Sequence, residues 1–196
     1  MELVLSMYIT LAPVIFAGVL NMIWCKLPIL SSLKKPIDNG VCLSDGRRLF
    51  GDNKTWKGFV GYLLLNTLCM VLWGLLCLSI FALNSRNFFY FTYSNTIGFN
   101  LLIGLFLGLG YSLFELPNSF LKRRLDVEPG KTKNGFWKVF FVILDQADSL
   151  FGCVLVVAII YPMSIGFYLL YVAIGALTHI VFNMLLYFAR LRKNIF

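Results

Sequence analysis

The chain contains 196 residues, of which 59% are hydrophobic and only 13% are charged. Because a soluble globular domain carries about 25% charged residues, this composition excludes an ordinary soluble domain and predicts an integral membrane protein. The formal net charge is +8. The basic residues stand beside apolar runs, so we interpret this charge as a sign of membrane topology and expect no nucleic-acid partner.

Five apolar runs are long enough to cross a bilayer, which requires about 20 mostly apolar residues in a helix. Pro162 divides the last two runs, because proline interrupts the helical hydrogen-bond ladder. The first run begins without basic residues, so we interpret it as a retained helix rather than a cleaved signal peptide. We therefore predict an all-α integral membrane protein, a single polytopic domain over residues 1–196, with spans at about 3–24, 58–83, 97–118, 136–160 and 165–189.

The distribution of Lys and Arg predicts the orientation of these spans. Seven lie between spans one and two, and six lie from Lys122 to Lys138, including Lys133. Three lie in the tail (Arg190, Arg192, Lys193), whereas the other two connections hold only Arg86. By the positive-inside rule, the basic loops and the C-terminus face the cytoplasm and the N-terminus lies outside. The sequence thus predicts a cytoplasmic-membrane protein with two basic cytoplasmic loops.

The first basic loop, DGRRLFGDNKTWKG at residues 45–58, combines cations with acids and three glycines. Glycines allow a backbone to approach a ligand closely, and successive N–H groups can surround phosphate oxygens. The second, NSFLKRRLDVEPGKTK at residues 118–133, contains the compact cluster Lys122-Arg123-Arg124. Both loops have two interpretations that composition leaves open: topology anchors at anionic lipid, or a clamp for a polyphosphate or a lipid phosphate.

Acidic residues inside the predicted membrane region are the third polar feature. Asp145 and Asp148 are spaced i, i+3 and share one helix face, and Glu115 stands near the end of span three. His179 and Asn183 share a face of span five. Ionisable residues within a membrane usually mark function, and Mg²⁺ binds through one or two carboxylates together with substrate phosphates. We therefore predict a Mg²⁺ site on Asp145, Asp148 and Glu115, with nucleotidyl transfer to a lipid phosphate at the membrane–cytosol border.

Four motifs in order, DGRRLFGDNKTWKG, SFLKRRL, LDQAD and HIVFN, resemble the CDP-archaeol synthase family, a short relative of the phosphatidate cytidylyltransferases. The resemblance covers nearly the whole chain and implies a five-helix enzyme that uses CTP and Mg²⁺ to make a CDP-activated lipid and pyrophosphate. It implies that Asp145, Asp148, Lys122 and Arg123 are catalytic. It also implies binding of the nucleotide or lipid phosphates by further residues: Arg47, Arg48, Asp52, Lys54, Thr55, Lys57, Ser119, Arg124, His179 and Asn183.

This chain departs from the family pattern before the serine, where Phe114-Glu115 replaces a Gly-Asp pair and Pro117-Asn118 replaces small residues. We interpret it as a divergent member. The lipid tail stays open among an archaeal ether lipid, an acyl lipid and a polyprenyl phosphate, and a homodimer is a further expectation from related enzymes.

Two other classes of function compete with the enzyme. A small transporter or scramblase for an anionic substrate would also use buried acids and cations, but it should carry polar residues through the whole membrane depth. Here the polar residues cluster at one end of the spans. A lipid-anchored scaffold would explain the basic loops but not Asp145, Asp148 and Glu115.

Overall fold

A computed structural model describes residues 2–129, 131, 135–188 and 190. Lys133, Arg192 and Lys193, which contribute to the predicted orientation, lie outside these described residues. The described chain folds into five long helices and two short ones: α1 Glu2–Lys26, α2 Trp56–Ser79, α3 Phe81–Asn84, α4 Phe89–Thr92, α5 Ile97–Arg124, α6 Phe136–Ile160 and α7 Ile165–Phe188. Its β structure is limited to isolated bridges within the described ranges.

The five long helices confirm the predicted all-α membrane architecture, since each is long and apolar enough to span a bilayer. Two predicted boundaries are wrong. The second span ends at Ser79, because Ile80 adopts an extended backbone and the separate turn α3 follows. The third continues through Pro117 to Arg124. This longer α5 carries the motif residues 118–124 on a helix instead of a loop.

The helices pack in a bundle in which α5 is central, with α2 on one side and α6 on the other. Helix α1 packs on α2, and α7 packs on α6. Tyr62 and Trp73 of α2 donate hydrogen bonds to the α1 carbonyls of Val14 and Ile9 at 3.1 and 2.9 Å. These bonds hold α1 against α2. Inside the bilayer no water is available to these donors, so a hydrogen bond to a protein acceptor stabilises the packing.

The crossing of α5 and α6 depends on two glycines. A Cβ atom at Gly152 would lie 2.1 Å from the carbonyl oxygen of Gly110, so the two backbones touch there. Small residues permit this close approach between membrane helices. The contact brings the following turns of α5 against the preceding turns of α6, where Asn118 meets Asp145 and Asp148.

The basic loops lie together at one end of the bundle, which we call the basic end. Asp38 organises residues 38–51 there: its side chain is fully buried, and it accepts hydrogen bonds from Arg48 and from the backbone N–H groups of Gly40, Phe50 and Gly51. Thr55 then caps α2 by accepting from the Gly58 N–H at 3.2 Å. The opposite end holds α3, α4 and the turn at residues 161–164.

Candidate active site

A cavity of about 570 Å³ extends from the basic end into the helix bundle. It is lined by α1, α5, α6 and α7, together with Asn53 and Lys54 from the first basic loop. Its inner part is apolar, with Met7, Leu11 and Leu150 among the lining side chains. The cavity therefore joins a charged chamber to an apolar one inside a single membrane protein.

The last two turns of α5 supply one polar wall of the charged chamber. Glu115, Asn118, Ser119, Lys122 and Arg123 all line the cavity. Their spacing of three and four residues places them on one helical face. Because α5 continues past Pro117, the helix fixes all five positions relative to the bundle.

Asp145 and Asp148 of α6 face this wall and are joined by one amide. The Asn118 side-chain nitrogen donates to an oxygen of Asp145 at 2.7 Å and to an oxygen of Asp148 at 2.6 Å. The Lys122 ammonium donates to both oxygens of Asp145, at 2.5 and 2.6 Å. Asp145 thus has a cationic partner, whereas Asp148, only 8% exposed, forms no ion pair with any residue in the described part of the chain.

Lys54 reaches the chamber from the first basic loop and pairs with Glu115. Burial acts to lower the pKa of the Lys54 ammonium, but the neighbouring carboxylates, Glu115 foremost, outweigh it and hold that pKa above its ordinary value. The ammonium therefore remains charged at neutral pH. Glu115, predicted as a third metal ligand, is in this structure the counter-ion of Lys54.

Arg123 differs from Lys54 and Lys122 because it has no counter-ion among the described residues. Its side chain is buried in the cavity wall, the residue being 7% exposed, and its Nε atom has no hydrogen-bond partner. It forms no ion pair with another described residue. A buried guanidinium is costly without a partner, so this arrangement fits an anion that occupies the cavity.

The polar pair predicted on the last helix also lines the cavity. Asn183 donates to the side-chain oxygen of Gln146 at 2.7 Å, and the His179 ring nitrogen Nδ1 lies 3.3 Å from the Gln146 backbone oxygen. Gln146 is buried between the two aspartates along α6. These contacts tie α7 to α6 beside the acid pair.

The structure brings nine of the sequence-predicted site residues to the cavity and places six elsewhere. Four of the six lie in the first basic loop: Arg47 bonds Asp126 and the Arg124 carbonyl, Arg48 bonds Asp38 and Asp52, and Thr55 caps α2. Arg124, the last residue of α5, bonds Asp45. Lys57, 1% exposed, donates to the Leu27 carbonyl at 2.6 Å and lies 5.0 Å from the Trp24 ring. These six contacts maintain the basic end rather than line the chamber.

Sequence reasoning missed several cavity residues, of which Asn118 and Gln146 make the most specific contacts. Gln146 lies between the two predicted aspartates in LDQAD, and Asn118 stands four residues before Lys122 on the same helix face. Helical spacing alone could have identified Asn118, had α5 been predicted to continue beyond residue 118.

The donor set of the acid pair fits a hard divalent cation. Asp145, Asp148 and Asn118 offer oxygen atoms, and the side-chain oxygen of Asn118 is buried without a hydrogen-bond partner. No group of three or more His, Cys, Asp or Glu arranged for a metal occurs among the described residues. A Mg²⁺ ion held here would therefore complete its shell with substrate oxygens and water, as Mg²⁺ commonly does.

Fold and cavity together define a class: polytopic membrane proteins whose helices enclose a cavity lined by charged residues. A family model described as CarS-like CDP-archaeol synthase matches residues 5–196. A CDP-archaeol synthase of Pyrococcus furiosus is 30% identical over 160 residues, 82% of this chain and 83% of that protein. The chain belongs to the CDP-archaeol synthase family.

Two further comparisons agree with this membership. A CDP-archaeol synthase of Aeropyrum pernix is 30% identical over 173 residues, 88% of this chain and 84% of that protein. A solved structure described as an intramembrane enzyme for archaeal membrane lipids biosynthesis matches with a TM-score of 0.59 at 25% identity, covering 90% of this chain and 92% of that one. The expected function, a CTP-dependent lipid cytidylyltransferase, is confirmed over the transporter or scramblase alternative.

Proposed function

We propose that the charged chamber is the active site of a Mg²⁺-dependent cytidylyltransferase that couples CTP to an archaeol-type lipid phosphate. One observation carries the proposal: the same cavity contains a buried guanidinium without a counter-ion, Arg123, and an oxygen-rich acid pair, Asp145 and Asp148. A triphosphate with a bound divalent cation complements both, because it presents negative oxygens to the arginine and positive charge to the aspartates.

The metal would be held by Asp145 and Asp148, with Asn118 beside them. When bound, it neutralises charge that develops on the phosphate oxygens. Lys122, which bonds both oxygens of Asp145, supplies a further cation at the same place and orients that carboxylate.

The reaction is an in-line displacement at phosphorus. An oxygen of the lipid phosphate forms a bond to the α-phosphorus of CTP, the bond from that phosphorus to the oxygen bridging the β-phosphorus breaks, and pyrophosphate leaves. Because the attacking phosphate oxygen is already anionic at neutral pH, the site needs no general base. The protein contributes positioning and charge neutralisation.

The cations of the chamber have separable jobs in this proposal. Arg123, whose planar guanidinium suits phosphate oxygens, binds the triphosphate and stabilises the departing pyrophosphate. Lys54, held by Glu115 and protonated at neutral pH, fixes a second phosphate group. Glu115 acts through Lys54 and is a positioning residue.

We further propose that the basic end faces the cytoplasm. The clustering of the described basic loops at this end supports the proposal, because the positive-inside rule places basic loops on the cytoplasmic side. A site reached from this side receives CTP from the aqueous phase and the lipid phosphate from the bilayer.

The test uses purified protein in detergent with Mg²⁺, one radiolabelled nucleoside triphosphate at a time and a panel of lipid phosphates. We expect label from CTP to enter a lipid product with release of one pyrophosphate, with the archaeol-type phosphate as the best acceptor. Equal incorporation from all four nucleotides would contradict the CTP assignment, and full activity in EDTA would contradict the metal.

A further inference from the structure

The long helices contain two contrasting sets of glycines. At Gly61, Gly104, Gly110 and Gly152 an added Cβ atom would meet a neighbouring atom at 2.7 Å or less, so packing requires glycine there. At Gly18, Gly98 and Gly166 an added Cβ atom would meet nothing within 4 Å. Gly98 and Gly166 lie in the first turns of α5 and α7, whereas Gly18 lies in the interior of α1. A helix-interior glycine costs about 1 kcal/mol relative to alanine, and helix packing does not account for that cost at Gly18.

Gly18 is the member of this second group that lines the cavity. It lies on α1 beside Ile15, Val19 and Met22, and Phe182 of α7 lines the same cavity. These lining side chains are apolar, and no side-chain atom projects from Gly18. The missing side chain therefore leaves space between α1 and α7 rather than room for a neighbouring helix.

Helices α1 and α7 are fastened to each other away from Gly18. The Tyr171 hydroxyl donates to the Met7 carbonyl at 2.6 Å, and the hydroxyls of Tyr8 and Thr178 lie 2.9 Å apart. Gly18 stands ten residues further along α1, which corresponds to about 15 Å of helix. Toward the basic end, the cavity separates the two helices, and no hydrogen bond joins their described side chains there.

We propose that this slot between α1 and α7, bounded by the Tyr8–Thr178 contact and kept open at Gly18, receives a hydrocarbon chain of the lipid phosphate. The inference rests on the proposed function. Continuity of one cavity supports this occupant, because the apolar slot opens into the chamber that contains Lys122 and Arg123. A lipid phosphate matches both parts, with its anionic head among the cations and its chain along Ile15, Val19 and Phe182.

The experiment compares wild-type protein with Gly18→Phe and with Gly98→Phe as a matched control. Gly98 also has open space around its Cβ position but lies outside the cavity, at the start of α5. We expect Gly18→Phe to raise the half-saturating concentration of lipid phosphate at least about tenfold while the affinity for CTP changes less than about twofold. Gly98→Phe should change neither quantity.

A second measurement needs no turnover and no substitution. A phosphatidic acid with a diazirine in its chain is photolysed in the wild-type protein, and labelled peptides are mapped by mass spectrometry. We expect label on residues 15–22 of α1 and near Phe182, competed by unlabelled lipid phosphate. Label confined to α2, or an unchanged half-saturating concentration of lipid phosphate in Gly18→Phe, would refute the proposal that the slot receives the hydrocarbon chain. If wild-type protein makes no CDP-lipid yet labels residues 15–22, the proposed function fails and the slot stands.

Discussion

Arg123 and Arg124 are neighbours in the sequence, yet their guanidinium groups lie in different regions of the molecule. Arg124 bonds Asp45 and the Arg48 carbonyl, both at 2.6 Å, in the network that also includes Arg47, Arg48 and Asp38. Arg123 lines the cavity without a counter-ion. The other three arginines have carboxylate partners within the protein, whereas Arg123 has none among the described residues.

Among substitutions in the cavity and in the loops, those in the acid pair should lower activity the most. We expect Asp145→Asn and Asp148→Asn each to lower the CTP-dependent rate by roughly 10²–10³-fold or more, because an amide cannot replace a carboxylate in charge neutralisation. Initial rates of CDP-lipid formation in detergent measure this, with gel filtration to confirm an intact protein. Asp126→Asn, on the exposed partner of Arg47, is the control. Full activity in either cavity variant would refute the assignment of the site.

The two adjacent arginines give the sharpest comparison. Arg123→Gln should weaken CTP binding by roughly 10–100-fold, since a hydrogen bond to a charged group contributes about 1.5–3 kcal/mol. Arg124→Gln should leave CTP affinity within a few-fold of wild type and instead loosen the first basic loop. Calorimetry with Mg²⁺–CTP and limited proteolysis of the loop separate the two outcomes. Equal losses of CTP affinity in both variants would contradict the assignment of Arg123 to CTP binding and of Arg124 to the loop.

Lys57 extends the comparison to a residue that motif resemblance assigns to binding. Its ammonium bonds the carbonyl of Leu27, just beyond α1, and is buried against Trp24. We expect Lys57→Met to lower the free energy of unfolding by about 1–3 kcal/mol with little change in the KM for CTP. Thermal unfolding and steady-state kinetics test this in parallel. A large rise in the KM for CTP at unchanged stability would show instead that Lys57 contributes to CTP binding.

Asp38 gives the smallest predicted effect, a loosening of the loop in acid. Burial acts to raise the pKa of this carboxyl, but the hydrogen bonds from Arg48, Phe50, Gly51 and Gly40 prevail and hold that pKa well below its ordinary value. A depressed pKa contributes stability that is complete above the unfolded value of about 3.9 and is lost as pH falls from there through the folded value. Hydrogen exchange of the Phe50 and Gly51 amides, corrected for intrinsic rates, should show lower protection at pH 3 than at pH 6. Asp38→Asn should abolish that difference.

The sequence was sufficient to predict the membrane helices and to place Asp145 and Asp148 on one face of one of them. Charge-free apolar runs report burial in lipid directly, and an i, i+3 aspartate pair within such a run allows few alternatives. The cations were harder to assign. Whether an arginine meets a protein carboxylate or a cavity depends on loop contacts between distant residues, such as Arg47 with Asp126, and composition carries no information about that pairing.

The role of Glu115 as a metal ligand stays a prediction, and its contacts show the same limit of reasoning from sequence. Its charge and position on α5 were correctly noted, but its partner Lys54 comes from a loop 61 residues earlier in the chain. Asn118 was missed for a local reason, because the third span was predicted to end at this residue, so it was not placed on one helix face with Lys122. In the structure α5 continues, since proline in a helix removes one N–H donor but leaves the neighbouring turns to be stabilised by packing.

The backbone contact between Gly110 and Gly152 has a consequence for how the protein can admit a bulky guest. Two helices touching through bare main chain cannot slide past one another without collision, so α5 and α6 form a fixed frame. That frame carries Lys122 on one member and Asp145 on the other. If α1 or α7 shifts to admit a molecule, this frame should preserve the spacing between Lys122 and Asp145.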